Sequence, residues 1–369
     1  MRVLHIFKTY LPDNYGGIEQ VINQIALGSA KLGVNTEVLT LTKEPGERTI
    51  ELDGHIVHRA KEDFNFASTG VSLSVFRQFA QLSKQVDIIH YHFPWPMMDL
   101  LHFSARLKKP SVLTYHSDIV KQKRLLKLYE PLRNRFLASV DRIVATSPNY
   151  LESSDVLKLF QDKVDVIPIG IDKATYPKPD DSKLASWRNE LGDKFFLFIG
   201  MLRYYKGLHI LIRAAREASS KIVIVGAGPI ESELKSQVRE SGLTNVVFLG
   251  KVSDEDKSAL LTLCYGVVFP SHLRSEAFGV SLLEGAMFGK PMISSEIGTG
   301  TTFINIEGET GLVIPPGDHH ALSQAMNWLV AHPTEAKMMG EQAEKRYWQL
   351  FTAEQMVESY VQLYRKLIR

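Results

Sequence analysis

Short, unbroken apolar runs alternate with longer amphipathic stretches along this chain, and the pattern occurs twice. Residues 3–7, 36–41, 86–91, 111–115 and 142–146 form the first series, separated by stretches of helical spacing such as 17–32. A run that is apolar throughout reads as a strand buried on both faces, which is how strands of a parallel sheet read. Strands alternating with helices imply repeated βαβ units and an α/β fold. The rhythm stops at 171–187, IDKATYPKPDDSKLASW, where two prolines and three aspartates break the periodicity, and this segment reads as a linker. It restarts with strand-like runs at 195–200, 221–226, 246–250, 267–270 and 291–294, a second doubly wound unit.

A length of 369 residues suits two domains. The expected division is 1–171 and 172–351, both Rossmann-like, facing each other across a cleft. The tail from 333 is helical. Met356, Val357, Tyr360, Leu363, Tyr364 and Leu367 recur at three-to-four spacing, so a helix over about 352–369 should pack back on the first domain. In open α/β sheets ligands bind beyond the carboxyl ends of the strands, so chemistry is expected in the loops that follow them.

Apolar residues make up 44% of the chain, enough for a sizeable core, and the formal net charge of +2 is too balanced for a nucleic-acid binder. The lone Cys264 rules out an internal disulfide or a cysteine metal cage and fits a reducing cytoplasm. Its surroundings, LLTLCYGVVF, read as core. The opening MRVLHIFKTYLP is too short for a signal peptide, and no run reaches the roughly 18 apolar residues of a membrane span. The expected location is the cytoplasm, or the membrane surface on that side.

Four loops carry candidate chemistry. Tyr15-Gly16-Gly17 follows the first strand and opens a helix; two glycines there let a phosphate approach, although a tight turn alone would also account for them. Arg203 and Lys206 follow the first strand of the second half, where two cations can clamp a diphosphate. Gly226-Ala227-Gly228-Pro229 has a Gly-x-Gly after a strand, but Glu231 stands where a dinucleotide fingerprint needs its third small residue. In Ser275-Glu276-Ala277-Phe278-Gly279-Val280-Ser281-Leu282-Leu283-Glu284, a helix should begin near Gly279. Its free N–H groups suit an anion, and each flanking glutamate can accept hydrogen bonds from adjacent hydroxyls.

Glu276 and Glu284, with seven residues between them, resemble the E-x7-E motif of retaining glycosyltransferases of the GT-B fold. The Gly16-Gly17 loop, Arg203 with Lys206, and Gly226 to Pro229 fall in that family's order and spacing, over almost the whole chain. The resemblance is to family 4, also called group 1. Within it, the stretches GGIEQVI, YHFPWPMMDLLH, KPSVLTYHSDIV, ATSPNYLESS and GTGTTFIN look like bacterial enzymes that build mannose or D-rhamnose O-antigen chains. The resemblance implies an acceptor-binding first domain and a second domain that binds a nucleotide-sugar donor, GDP-mannose before GDP-D-rhamnose or a UDP-sugar. It implies transfer with retention, giving an α-linkage, to an undecaprenyl-diphosphate-linked saccharide, with no metal and no other cofactor. By position, His116 would lie beside the donor sugar, and Arg203 and Lys206 would bind the diphosphate. Glu276 with the backbone of Phe278 and Gly279 would hold the sugar hydroxyls, Ala277 and Val280 would belong to the nucleotide-sugar site, Glu284 would hold the ribose, and Gly16 and Gly17 the phosphates.

The remaining candidates read more plainly. His90 and His92 flank Tyr91 at a strand end, but no third metal ligand suggests itself, so a structural or substrate-contact role is expected. His319-His320 should be solvated at a helix start. Asp254-Glu255-Asp256 should cap a helix behind Ser253 rather than bind metal. Residues 119–140 form a basic amphipathic stretch with Lys121, Lys123, Arg124, Lys127, Arg133 and Arg135; it reads equally as a packed helix or as one lying on an anionic membrane. A nucleotide-sugar epimerase, or a non-catalytic binding scaffold, would share many of these features.

Overall fold

The computed structural model describes residues 1–44, 46–66, 69–105, 108–119 and 123–368, with side chains from Leu125 onward in the last span. The chain divides into two compact units, Met1–Gly170 together with Ala353–Arg369, and Ile171–Thr352.

Among the described residues the first unit contains ten strands: β1 Arg2–Ile6, β2 Asn35–Thr42, β3 Thr49–Leu52, β4 His55–Lys61, β5 Phe64–Phe66, β6 Thr69–Val71, β7 Ile88–Phe93, β8 Ser111–Tyr115, β9 Arg142–Ala145 and β10 Val164–Val166. Eight of them form one sheet in the order β10-β9-β8-β7-β1-β2-β4-β3, and β5 pairs with β6 separately. All pairs in the large sheet are parallel except β3 with β4. Every residue of β7 and β8 is buried, as in strands covered on both faces, the polar His90, His92, Ser111 and Thr114 included. From β1 the chain moves outward to one edge, and from β7 to the other. The switch point therefore lies at the carboxyl ends of β1 and β7, where the Gly16-Gly17 loop and the segment after β8 emerge.

The helix Ala353–Leu367 belongs to this unit and buries Met356, Val357, Tyr360, Val361, Leu363 and Tyr364. It lies close against the helix Gly17–Ala30. A methyl group on Gly28 would come within 2.6 Å of a Val357 methyl.

The second unit holds β11 Phe195–Ile199, β12 Lys221–Val225, β13 Val246–Gly250, β14 Gly266–Phe269, β15 Met292–Ser295 and β16 Gly311–Ile314. They form a fully parallel sheet in the order β13-β12-β11-β14-β15-β16. Its switch point falls between β11 and β14, so the loops bearing Arg203 and Lys206 and bearing Glu276 leave the sheet side by side.

Two expectations are corrected, and a hairpin is added. Segment 171–187 is not a plain linker: Lys173–Thr175 is a 3-10 turn, and Asp180 caps the helix Asp181–Leu191 by accepting from the Lys183 amide. The hairpin of β3 and β4 escapes a reading based on apolar runs because both strands are only half buried. Its turn, Asp53-Gly54, has φ of 48° and 82°, the left-handed pair that a two-residue hairpin demands. β7 starts two residues later than expected. Val86 is buried ahead of the strand and the Asp87 side chain accepts from the Arg2 amide, so His90 and His92 sit within the strand rather than at its end.

Candidate active site

In the second unit the polypeptide leaves β11 through Gly200 to Arg203, makes a 3-10 turn at Tyr204–Lys206 and enters the helix Leu208–Ala214. The neighbouring Gly226-Ala227-Gly228 turn lies directly on this loop. The Leu202 amide donates to the Ala227 carbonyl at 3.0 Å. A Cβ on Gly226 would meet the Gly200 carbonyl oxygen at 2.0 Å, and one on Gly228 the Leu202 carbonyl oxygen at 2.3 Å. Both glycines are therefore required by backbone-to-backbone packing, and they fix the loop carrying Arg203.

Lys206 and Glu276 are brought together. The Lys206 Nζ bonds Glu276 Oε2, which also accepts from Ser271 Oγ at 3.3 Å. Each side chain is 11% exposed, and the ammonium also lies 4.7 Å from the centre of the Phe269 ring. Arg203, by contrast, is exposed and makes no ion pair among the described residues; its Nε lies 2.9 Å from Met201 Sδ. Beyond Glu276, Phe278 is buried and Gly279, at φ 99°, is the N-cap of the helix Val280–Met287, with no capping side chain. Ser281 Oγ ties that helix start to the end of β11 by donating to the Ile199 carbonyl at 2.7 Å. An uncapped helix start beside the turn that carries Arg203 and Lys206 is suited to an anion.

Glu284 is buried one turn into the same helix. Its Oε1 accepts from the Tyr176 hydroxyl at 2.8 Å and pairs with Lys257 Nζ at 3.2 Å, and that ammonium sits 4.7 Å from the Tyr176 ring centre. Burial opposes the charge on Lys257, yet Glu284 and Asp254 hold its pKa above the ordinary value. Burial, and then Glu284, push the Tyr176 hydroxyl upward. Neither partner is legible in the sequence: Tyr176 lies in the segment that reads as a linker, and Lys257 follows the acidic run that reads as a helix cap.

In the first unit Gly16 is the N-cap of the helix Gly17–Ala30, again with no capping side chain. Glu19 in its first turn is buried and accepts from Thr9 Oγ1 at 2.7 Å and from Asn14 Nδ2, which pins the loop. A Cβ on Gly16 would strike the Glu19 carboxylate, whereas one on Gly17 would meet nothing within 4 Å. His116 follows β8, is 5% exposed, and has its Nε2 2.9 Å from His92 Nδ1. His92 Nε2 in turn lies 2.9 Å from His5 Nδ1. A third imidazole thus does join His90 and His92: His5 is in register with His90 across the parallel pair β1 and β7. His90 bonds the Tyr364 hydroxyl at 2.6 Å and Thr114 Oγ1 at 2.7 Å. Burial pulls His5 and His116 down to about 3 and lowers His90 and His92 well below the usual range, so all four are neutral near pH 7.

Ser253 caps the helix Asp254–Leu263, accepting from the Asp256 amide. The Asp256 carboxylate is held down to about 2, chiefly by hydrogen bonds from Ser253 and Lys183. The capping reading of the acidic run therefore holds. Cys264 is buried and its thiol is pushed up to about 11 by that burial. His320 is not merely solvated; its Nδ1 pairs with Glu217 at 2.9 Å. In the basic stretch, Lys121 and the side chains of Lys123 and Arg124 lie outside the described residues. In the helix Lys123–Ser139, Leu125, Lys127 and Leu128 are exposed while Arg133 is buried.

Residues 15–175 match the family described as Glycosyltransferase Family 4, and residues 180–346 match Glycosyl transferases group 1. The chain is 60% identical over 353 residues to the D-rhamnosyltransferase WbpZ of Pseudomonas aeruginosa, covering 96% of this chain and 93% of that protein. It is 52% identical over 368 residues to the O-antigen chain mannosyltransferase C of Escherichia coli, covering 100% and 99%. Its fold is that of the sucrose-phosphate synthase of Thermosynechococcus elongatus, with a TM-score of 0.82 at 22% identity over 99% of this chain and 98% of that one. The chain belongs to the group 1, family 4 glycosyltransferases of the GT-B fold, and it is a glycosyltransferase.

Proposed function

We propose that this glycosyltransferase moves mannose from GDP-mannose to a lipid-linked saccharide in lipopolysaccharide O-antigen assembly, with retention and an α-linkage. The observation that carries the reading is the meeting of Lys206 and Glu276 at the β11/β14 switch point, beside the uncapped helix start at Gly279. In this pair each charge neutralises the other. An incoming diphosphate gives Lys206 a second anion to serve, and it frees Glu276 to accept from sugar hydroxyls. Arg203 adds an exposed fork for the phosphate oxygens.

In the reaction the bond between the anomeric carbon and the phosphate oxygen breaks, and a bond to the acceptor oxygen forms on the same face. The acceptor proton passes to the leaving phosphate. Lys206, Arg203 and the helix start stabilise the growing negative charge as fixed electrostatics, so the reading uses no metal ion. It assigns Glu284 to the ribose, where Tyr176 and Lys257 hold the carboxylate in place, His116 to the donor sugar, and the Gly16 and Gly17 backbone to the phosphates.

The donor is the finer point. The Escherichia coli relative, similar from end to end, is named a mannosyltransferase, which favours mannose; the 60% identity to a D-rhamnosyltransferase favours the 6-deoxy sugar. The two sugars differ in one hydroxyl. A site that hydrogen-bonds that hydroxyl rejects the deoxy sugar strongly, whereas an apolar pocket discriminates only about 100-fold against the hydroxyl. Initial rates with GDP-mannose, GDP-D-rhamnose and UDP-glucose on a lipid-linked acceptor decide. GDP-mannose should be fastest, and preference for either other donor would refute the assignment.

Among the described residues no helix is long and apolar enough to cross a membrane. The reading brings the helix Lys123–Ser139 against the anionic inner face of the cytoplasmic membrane through Leu125, Lys127 and Leu128. The double variant Lys127→Glu, Leu128→Glu should co-sediment less with phosphatidylglycerol vesicles than the unaltered chain. Equal binding would remove the membrane from the account.

A further inference from the structure

His5, His92 and His116 lie on one face of the first sheet, contributed by β1, by β7 and by the residue after β8. The nitrogens of each successive pair are 2.9 Å apart, the ring centroids 5.2 Å apart, and the ring planes within 20° of parallel. Nitrogens that close between rings that far apart mean that the imidazoles meet edge to edge, in plane, as N–H···N hydrogen bonds rather than as face-to-face stacks. His5 and His92 are fully buried, so these bonds see little competition from water.

Three neutral imidazoles joined in this way can order their protons in only two directions. If the bonds ran from His116 toward His5, the last proton would sit on His5 Nε2. That atom is buried and finds no hydrogen-bond partner among the described residues. A buried N–H without an acceptor is rarer than an under-used acceptor, and leaving a donor unmet carries its full desolvation cost. The favoured direction is the other one: His5 Nδ1–H donates to His92 Nε2, and His92 Nδ1–H donates to His116 Nε2.

We propose that His5 and His92 are positioning residues whose directed hydrogen bonds fix His116 as the Nδ1–H tautomer. The Nε2 lone pair of His116 is then spent inside the protein, and Nδ1–H is the ring group left for a ligand. His116 is thereby a hydrogen-bond donor to a sugar or phosphate oxygen and not a general base. This fits a reaction in which the leaving phosphate takes the acceptor's proton, and it rests on the reading of His116 as a donor-sugar contact. A metal at the same cluster is disfavoured by bonds already present. His90 has both nitrogens engaged, by Tyr364 and Thr114, and His5 Nδ1 and His92 Nε2 are engaged with each other.

The test is tautomer assignment by long-range proton–nitrogen correlation on the full chain labelled with 15N-histidine, with His116 assigned from the missing signals of His116→Gln. The chain predicts a protonated Nδ1 and a bare, hydrogen-bonded Nε2 for His116. In His92→Leu the two tautomers should mix and turnover should fall on the order of tenfold or more at little changed donor KM. His92→Asn, which keeps a donor near the Nδ1 position, should restore both the tautomer and most of the rate. A protonated Nε2 on His116 in the unaltered chain overturns the proposal, as does a tightly bound zinc ion lost in His5→Phe. The expected tautomer combined with full activity of His116→Ala would overturn the role in transfer, and would trace that failure to the reading of His116 rather than to the chain of bonds.

Discussion

Gly17 and Gly228 are both glycines in turns after strands, yet they are glycine for different reasons. A side chain at Gly228 would collide with the Leu202 backbone, while one at Gly17 would meet nothing within 4 Å. Packing explains the first and leaves the second to function. Gly17→Ala should therefore fold at least as well as the unaltered chain, since alanine is the better helix former, and should still lose activity by tenfold or more. Thermal unfolding beside a rate assay checks this, and unchanged activity would remove Gly17 from the site. At this scale Lys206, Glu276 and Gly279 were legible as candidates, because each stands in the segment just past a strand end. The sequence hid Tyr176, whose surroundings look like a linker. It also hid His5, which meets His90 and His92 only through parallel register across more than eighty residues.

Among elements, the clearest coupling is of turn against turn. The Gly226 to Gly228 turn after β12 supports the Gly200 to Arg203 loop after β11 by direct backbone contact. Gly228→Ala should thus cost stability, about 1–3 kcal/mol as for other overpacked sites, and should also lower the apparent affinity for the donor by displacing Arg203. Denaturant unfolding and donor titration together test this; a stable variant with normal donor binding would show that the loop is held elsewhere. Most strands were legible because buried parallel strands are written as unbroken apolar runs. The short edge strands β3, β10 and β16 were not, since three or four residues at a sheet edge carry little pattern.

For the whole molecule, the buried histidines set the response to acid. His5, His90, His92 and His116 are all held below their ordinary pKa by burial, so between about pH 6.5 and 3 the unfolded chain binds protons that the folded chain refuses. Stability should rise with pH through that window and be lost as pH falls, by up to about 1.4 kcal/mol per pH unit for each histidine. Asp99 opposes them. Burial raises it to about 7, so the folded state holds its proton longer than the unfolded state, and its contribution is lost as pH rises. Four groups outweigh one, and Tm should drop steeply below pH 6.5. A flat Tm between pH 7.5 and 5 would contradict the buried, neutral cluster.

On the proposed reading, sugar transfer runs on the Lys206 and Glu276 pair. Its most direct test is transfer of hexose from GDP-mannose to a lipid-linked acceptor by the unaltered chain, Lys206→Ala and Glu276→Ala, each first shown to be folded by thermal unfolding. Transfer by the unaltered chain is expected, with a loss of about 100- to 1000-fold in either variant. Near-normal transfer by the folded variants would contradict it.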